Sequence, residues 1–335
     1  MRTFTGRFRS QSGLTLAELL IALAISSTVV LFTLSLTTDA LLQSKRSDYS
    51  SELSYDFDLF TDYFSREIPN AGGQDIPAKA AYFTENDCVA RDSFPDCNHS
   101  DRITLATSNQ PATCSIVSYN ASAKTATLLS VAGICCLTGN SLANRQVLFS
   151  NGTSFAQHWV QSSNEATCEI NFVDGPMSPN DHFDATFIWN GALVLPVDIV
   201  TFYVDPTTDF FYKKTYDGTT ALSGTASLVA DRVVDFQVAL GFDFKPNDGV
   251  LLDNADNQDE WLNNSPGESM SDTNFSAATV DTLKMVELSW ILGSPSATSK
   301  PATATILDGP ARTRNAWLFR TGAVKLAIKS TYLFQ

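Results

Sequence analysis

The chain has 335 residues, of which 44% are hydrophobic, and its formal net charge is −14. A chain this acidic repels phosphate, which argues against nucleic-acid binding, and it has no general attraction to anionic lipid headgroups. The length allows one large domain or two ordinary ones, and the hydrophobic content is sufficient for a true core.

The N-terminus begins with a short basic leader and continues as an apolar run. Residues 1–13 contain Arg2, Arg7 and Arg9 and no acidic residue, and residues 14–36 contain a single ionisable side chain, Glu18. About 20 apolar residues in a helix span the hydrocarbon core of a bilayer. Because basic flanks stay on the cytoplasmic side, we expect the N-terminus inside and the rest of the chain outside.

An ordinary secretory signal peptide is the alternative interpretation of this segment. The stretch Thr38-Asp39-Ala40 would supply a weak cleavage site of small residues. The apolar run is, however, longer than the core of a normal signal peptide, and it contains a charge. A membrane helix is therefore the favoured prediction.

The stretch GLTLAE at 13–18 joins the leader to the apolar run, and it resembles the processing site of type IV prepilins. The resemblance implies that a prepilin peptidase cleaves between Gly13 and Leu14 and that Leu14 is then N-methylated. It also implies a glutamate at the fifth mature position, which Glu18 occupies. Family members often begin with Phe, so Leu14 is a tolerated departure.

The resemblance gives Glu18 a role in assembly. Pilin subunits pack their N-terminal helices into a bundle, where this carboxylate can meet the cationic N-terminus of a neighbouring subunit. A lone charge within the bilayer costs roughly 2.5–3.5 kcal/mol on insertion scales, and a paired charge costs less. The alternative is that Glu18 snorkels to the nearby membrane interface.

Three further regions resemble PilW-type minor pilins and the related GspJ-type pseudopilins. The first is FDLFTDYFSREIPNAGG at 57–73, although Pro69 interrupts the expected ending of the stem helix. The second combines LVADRVVDFQVALGFDF at 228–244 with DTLKMVELSWILGSP at 281–295, two strands around an aspartate-rich loop. The third is the tail ARTRNAWLFRTGAVKLAIKS at 311–330, which resembles their final strand pair.

The helical pattern continues beyond the membrane run. Apolar residues recur in steps of four, three and four along one face: Leu53, Phe57, Phe60 and Phe64. We therefore predict one helix from about Leu14 to about Ile68, ended by Pro69. Its first half faces lipid or a helix bundle, and its aromatic stripe is buried by a sheet of the same chain.

From Ile103 onward, short stretches rich in β-branched and aromatic residues predict strands. They are RITLAT, CSIVSYN, TATLLSV, RQVLFS, ATFIWN, LVLPVDIVTFYVD, FFYKKTY, VVDFQVALGFDF, KMVELSWIL and AVKLAIKS. Tyr119 to Thr125 brackets a hairpin loop. No amphipathic helices alternate with these stretches, which favours an antiparallel sheet over a parallel α/β core. The predicted fold class is α+β and pilin-like, with the long helix packed on an antiparallel β-sheet head.

Four segments follow from these patterns. Residues 1–13 form the leader peptide, residues 14–36 the transmembrane or assembly helix, and residues 37–69 its amphipathic continuation. Residues 70–335 form a periplasmic or extracellular β-rich head, with an acidic, Asn-rich loop near 245–279.

Six cysteines follow the membrane run: Cys88, Cys97, Cys114, Cys135, Cys136 and Cys168. Such an even set is typical of disulfides in an oxidising compartment, and the absence of a C-x-x-C pair disfavours zinc. Cys88 and Cys97 are close enough in sequence for a local bridge. Because a bridge between the adjacent Cys135 and Cys136 is strained, each is expected to pair elsewhere. Six cysteines still allow 15 pairings.

The acidic loop contains hard oxygen ligands that suit calcium: Asp243, Asn247, Asp248, Asp253, Asp256 and Asp259. The stretch does not match the EF-hand pattern, because Lys245 occupies a ligand position and Gly249 lies one residue after the position that the pattern requires. A solvated acidic loop is the alternative, and we predict no other cofactor.

Nothing in the sequence predicts an enzyme. The three histidines, His99, His158 and His182, lie in loop-like contexts. The sequence contains no G-x-S-x-G elbow, H-E-x-x-H pair or P-loop.

The sequence thus predicts a PilW-like minor pilin, a structural subunit that primes pilus assembly or sits near the fibre tip. Major pilins have much smaller heads, which favours a low-copy role. Its partners would be other minor pilins, the major pilin, prepilin peptidase and the inner-membrane assembly platform. The precursor would lie in the inner membrane and the mature subunit in a pilus or pseudopilus. The alternatives are a GspJ-like pseudopilin of type II secretion and a helix-anchored adhesin or binding protein.

Overall fold

A computed structural model describes most of the chain. The described residues are 15–73, 76, 81–85, 97–108, 114–120, 122–139, 141–151, 155–174, 190–216, 224–243, 261–262, 283–295, 301–315 and 317–328. The chain divides into two units, Met1–Glu52 and Leu53–Gln335. The predicted strand ATFIWN lies outside the described residues except for its last one, Asn190, which is in a turn.

A single long α-helix, α1, extends over Leu16–Glu67 and continues into a 3-10 turn at Ile68–Asn70. The predicted end at Pro69 has a simple cause, since proline lacks the N–H group that would continue the hydrogen-bond ladder. The most apolar 18-residue window of the helix has a mean hydropathy of 2.4, and none of it is buried. By length and composition the helix can cross a membrane, a test that a signal sequence would also pass.

Twenty strands follow the helix in the described residues. They are β1 (Gly72–Gly73), β2 (Tyr82–Glu85), β3 (Arg102–Ser108), β4 (Cys114–Asn120), β5 (Thr125–Leu128), β6 (Ser130–Val131), β7 (Ile134–Cys135), β8 (Arg145–Ser150), β9 (Phe155–Asn164), β10 (Glu169–Asp174), β11 (Leu193–Pro196), β12 (Asp198–Asp205), β13 (Phe210–Thr215), β14 (Thr225–Ala230), β15 (Val233–Phe242), β16 (Trp261–Leu262), β17 (Leu283–Pro295), β18 (Pro301–Ala304), β19 (Arg312–Asn315) and β20 (Trp317–Ala327).

These strands form two open sheets, a closed barrel and two small hairpins. The six-stranded sheet has the order β1-β3-β12-β13-β14, with β2 also paired to β3, and the four-stranded sheet has the order β16-β15-β17-β20. Strands β10-β5-β4-β11-β8-β9 close into a barrel with a hydrophobic core of its own. Among the described pairs, β1 with β3 is parallel and the others are antiparallel. The predicted α+β class, a long helix with a large antiparallel β-domain, is confirmed.

The predicted stretch LVLPVDIVTFYVD is two strands rather than one. Its first part, β11, belongs to the barrel, and its second part, β12, belongs to the six-stranded sheet. Val197 separates them and donates its N–H to the carbonyl oxygen of Gln146 at 3.0 Å. Pro196 has no N–H to donate, so the ladder is interrupted where the chain changes sheets.

The aromatic stripe of α1 is buried as predicted. Phe60 and Phe64 are 2% and 0% exposed, and Leu53 is 4% exposed. The Phe60 ring lies 4.9 Å from the rings of Phe211 on β13 and Trp290 on β17. The end of the helix therefore packs against both open sheets at once.

Gly322 on β20 provides the space that this packing requires. It is paired with Trp290 across β17 and β20. A Cβ atom at this position would come within 2.8 Å of the indole of Trp290 and would also collide with the ring of Phe57. Because both obstacles are rings in the aromatic core, little movement is available to relieve the clash.

We expect Gly322→Ala to lower the free energy of unfolding by about 1–3 kcal/mol, the usual cost of overpacking a core. Urea unfolding followed by tryptophan fluorescence measures the loss. The matched control is Ala323→Val on the exposed face of the same strand, which should change stability by less than about 0.5 kcal/mol. Equal stability of the two variants would show that the helix does not need this gap.

Candidate functional site

The first turn of α1 contains a reciprocal capping arrangement. The Oε2 atom of Glu18 accepts a hydrogen bond from the Thr15 N–H at 2.9 Å and one from the Thr15 hydroxyl at 3.0 Å. The Glu18 N–H donates to the Thr15 hydroxyl at 3.3 Å. This is a capping box, in which two side chains satisfy backbone donors that the helix start leaves open. The carboxylate also lies at the positive end of the helix dipole.

Only one oxygen of Glu18 is used in this way. Both hydrogen bonds that the carboxylate accepts from described residues end on Oε2, which leaves Oε1 without a partner in that part of the chain. A cation could therefore bind Oε1 while the capping box stays intact. Sequence reasoning missed the role of Thr15, although the pattern T-x-x-E at 15–18 is a recognised helix-start signature.

The apolar span that follows satisfies its own hydroxyl groups. The hydroxyls of Ser26, Thr28, Thr33 and Thr38 each donate to the carbonyl oxygen four residues earlier, at 2.7–2.8 Å. Large apolar side chains from Leu16 to Leu41 are exposed on all sides. In hydrocarbon every polar group needs an internal partner, and these hydroxyls have one. The surface of this segment thus suits lipid or other apolar helices.

Ion pairs flank the aromatic stripe within the second unit. Asp56 accepts from the guanidinium of Arg232 at 2.8 Å, and Glu67 accepts from the ammonium of Lys213 at 3.1 Å. Partial burial opposes the charge on Lys213, but its hydrogen bond to Glu67 and the nearby Tyr63 together raise the pKa of the lysine. The guanidinium of Arg320 lies 4.7 Å from the Phe57 ring centroid. These contacts fix the rotation of the helix on the sheets.

The end of the stem has a buried polar anchor. Tyr82 on β2 is 2% exposed and donates its hydroxyl to the carbonyl oxygen of Ile68 at 2.7 Å. Burial raises the pKa of this phenol well above its ordinary value, so it remains a donor across the physiological range. The bond holds the 3-10 turn in which the helix ends.

Two disulfides connect the barrel to the adjoining hairpin of β6 and β7. Cys114 is bonded to Cys136, and Cys135 is bonded to Cys168. The adjacent cysteines therefore pair away from each other. Cys97 is also disulfide-bonded, and Cys88 lies outside the described residues. The sulfur atoms of Cys135, Cys136 and Cys168 lie within 4.8 Å of one another, but all three are in disulfides, which leaves no thiolate for a metal.

The structure also locates the remaining candidate residues. Asp243 follows β15 and is half-buried, and the other candidate calcium ligands (Asn247, Asp248, Asp253, Asp256 and Asp259) lie outside the described residues. His182, Gly13 and Leu14 lie outside them too. His99 is in a turn, as the sequence suggested. His158 is instead 1% exposed on β9, between the rings of Phe149 and Phe172. Its neighbours make it a core residue.

The prokaryotic N-terminal methylation motif matches residues 8–34, less than a tenth of the chain. No curated protein and no solved structure gives a significant match. Together with the apolar helix, the motif supports a type IV pilin-like or pseudopilin subunit, a structural class that is generally non-enzymatic. It fits a membrane-anchored precursor and implies contact with prepilin peptidase and with pilus components in general.

The disulfides generate a test of the barrel. Replacing Cys114 and Cys136 together by serine should lower the free energy of unfolding by about 2–4 kcal/mol, because the unfolded chain loses a constraint between residues 22 apart. Urea unfolding under oxidising conditions measures the change. Non-reducing digestion and mass spectrometry should find the Cys135–Cys168 peptide intact in this variant. A scrambled pairing, or unchanged stability, would contradict the assignment.

Proposed function

We propose that this protein is a PilW-type minor pilin, a structural subunit that primes assembly of a type IV pilus or sits near its tip. The observation that carries the proposal is the position of Glu18. It lies in the first turn of an exposed apolar helix, with one carboxylate oxygen bonded to Thr15 and the other without a partner among the residues that the structure describes. The methylation motif covers the same turn.

The open oxygen suggests how the subunit docks. Cleavage between Gly13 and Leu14 would create a cationic amine at Leu14, one residue before the cap at Thr15. The amine of a neighbouring subunit can then pair with Oε1 of Glu18 inside the bundle. A paired charge costs less free energy in hydrocarbon than a lone one. Docking of the subunit is therefore favourable, and the most favourable axial position is the one that brings the amine and the carboxylate together.

The second unit supports a structural role for the head. The stem is held there by aromatic packing and flanking ion pairs, and disulfides brace the barrel. A head of this size suits a low-copy position beside other minor pilins, above the major pilin. We propose that the precursor lies in the inner membrane with a cytoplasmic N-terminus and a periplasmic head.

The second candidate is a pseudopilin of a type II secretion system, because the methylation motif and the apolar helix are expected in subunits of both assemblies. The gene neighbourhood separates the two. Pilus minor-subunit genes beside this one would support the proposal, and genes of a secretion system would replace it with the pseudopilin.

Processing is the first test. Replacing Gly13 by a bulky residue should leave the longer precursor in the inner membrane, because the peptidase must accept a small side chain just before the cut. N-terminal sequencing of the mature wild-type protein should begin at methylated Leu14. A mature N-terminus at Leu41 would instead show an ordinary signal peptide.

The second test concerns the charge pair, and it uses the variant Glu18→Gln. Glutamine can still accept from Thr15 and complete the capping box, so the helix start and the side-chain size are kept and the negative charge is removed. Processing and membrane insertion should be normal. Co-purification with the other minor subunits and the number of fibres in a deletion strain should both fall.

The matched variant for this experiment is Thr15→Val, which removes the hydroxyl from the cap and keeps the charge. It should reduce assembly less than Glu18→Gln does, because the open oxygen of Glu18 still meets its partner. Normal complexes and normal fibres with Glu18→Gln would mean that the carboxylate merely snorkels, and the pairing mechanism would be wrong.

A further inference from the structure

The six-stranded sheet ends at strand β14. One side of β14 pairs with β13, and no strand among the described residues pairs with its other side. In an antiparallel ladder, alternate residues of an edge strand turn their N–H and C=O groups outward. Ala226, Ser227 and Leu228 are exposed. The outward backbone groups of this stretch are therefore accessible to another strand.

The sequence of β14 lacks the features that usually protect an exposed edge, which are charged residues, proline, a bulge or a very short strand. In the four-stranded sheet, one outer strand, β16, has only two residues, and the other, β20, contains Arg320 and Lys325. The sequence of β14, TASLVA, has neither charge nor proline, and its bulge comes after Leu228. The stretch before the bulge is thus left unprotected.

A row of apolar side chains crosses the sheet and reaches this edge. Tyr203 on β12 is paired with Tyr212 on β13, which is paired with Leu228 on β14. Directly paired residues have their side chains on the same face, and the two tyrosine rings stack with centroids 5.6 Å apart. Exposure rises along the row, from 7% at Tyr203 through the half-buried Tyr212 to 54% at Leu228. A strand paired with β14 would cover this leucine.

These two features define the class of ligand. The outward N–H and C=O groups of an edge strand are matched along its length by another extended polypeptide, and not by a lipid or a sugar. Leu228 favours an apolar side chain at the paired position of the added strand. Because β14 has no charge, a partner strand without charge at these positions fits best.

We propose that β14 is a docking site for an extended segment of another protein, which joins the six-stranded sheet as a further strand and places an apolar side chain against Leu228 and Tyr212. Backbone hydrogen bonds provide the affinity, and the apolar contact provides the specificity. The proposal is independent of whether the chain assembles into a pilus.

A second copy of this chain fits the edge less well. In a two-fold pairing of β14 with itself, Leu228 meets the same leucine of the copy only in the register that pairs Val229 with the copy's Ser227. Val229 is the residue at the bulge, where it has no paired residue on β13. The ladder between the two copies would therefore include both bulges, which disrupt its hydrogen bonds.

Fluorescence anisotropy with the full-length protein in detergent tests this proposal. The probes are labelled, acetylated hexapeptides in which threonine alternates with valine, leucine, phenylalanine or tyrosine. At least one of them should bind saturably. Two further versions of that peptide are methylated at one or the other set of alternate backbone nitrogens. One version should lose binding and the other should keep it, because only one set of N–H groups faces β14.

The variant Leu228→Asp should weaken binding of the peptide at least about tenfold, because the apolar contact is lost and a charge is placed at the edge. The matched control is Val131→Asp, which makes the same kind of change on β6, at a side chain that is 68% exposed. It should bind the peptide like the wild type. Both variants should keep the wild-type unfolding midpoint, because both side chains are exposed.

The proposal is overturned if none of the four peptides binds, if both methylated versions bind like the parent peptide, or if Leu228→Asp binds like the wild type. Sedimentation of the protein in the same detergent tests the other occupant. A wild-type dimer that Leu228→Asp dissociates would show that a second copy covers β14, and it would overturn the proposal as well.

Discussion

Burial of Phe60 and Phe64 is the contact on which the second unit depends. Phe64 packs 5.3 Å from Phe202 of the six-stranded sheet and 5.8 Å from Phe236 of the four-stranded sheet, centroid to centroid. The same helix turn thus covers apolar faces of two different sheets. Without it, both faces would be exposed to water, so the end of the stem is part of the globular core. The unit accordingly begins at Leu53 and not after the helix.

One helix therefore serves two environments, and its composition changes between them. From Leu16 to Leu41 large apolar side chains are exposed on every side, which suits lipid or a bundle of similar helices. From Leu53 onward the apolar residues narrow to one stripe, and acidic residues such as Asp56 and Glu67 meet basic partners on the sheets. Periodicity alone distinguishes the two halves, because an apolar surface on every side and an apolar stripe on one side give different sequence patterns.

Local features of the fold could be predicted from the sequence, and non-local ones could not. The aromatic stripe, the helix end at Pro69 and the hairpin bracketed by Tyr119 and Thr125 depend on neighbouring residues, and the structure has all three. Closure of the barrel depends on β10 pairing with β5 and on β11 pairing with β4, and in both pairs the two strands are far apart in the sequence. The change of sheets at Val197 likewise depends on a distant carbonyl group.

The same distinction applies to the polar contacts of the helix. The capping box joins residues three apart, so the sequence contains it in full, whereas the ion pairs of Asp56 with Arg232 and of Glu67 with Lys213 join distant parts of the chain. Folding alone brings those side chains together, and no spacing in the sequence could indicate them.

The geometry of Glu18 also explains how a carboxylate can be tolerated before it meets a partner. In the single chain, Thr15 supplies two donors to Oε2 and the helix dipole adds a favourable field, so the charge does not enter hydrocarbon bare. On the proposed function, a neighbour's amine binds Oε1 and none of these hydrogen bonds has to break. Assembly then adds an interaction to those already present instead of exchanging one for another. The new charge pair can therefore stabilise the docked subunit without loss of the capping hydrogen bonds. The same hydrogen bonds reduce the free-energy cost of Glu18 in the bilayer before docking.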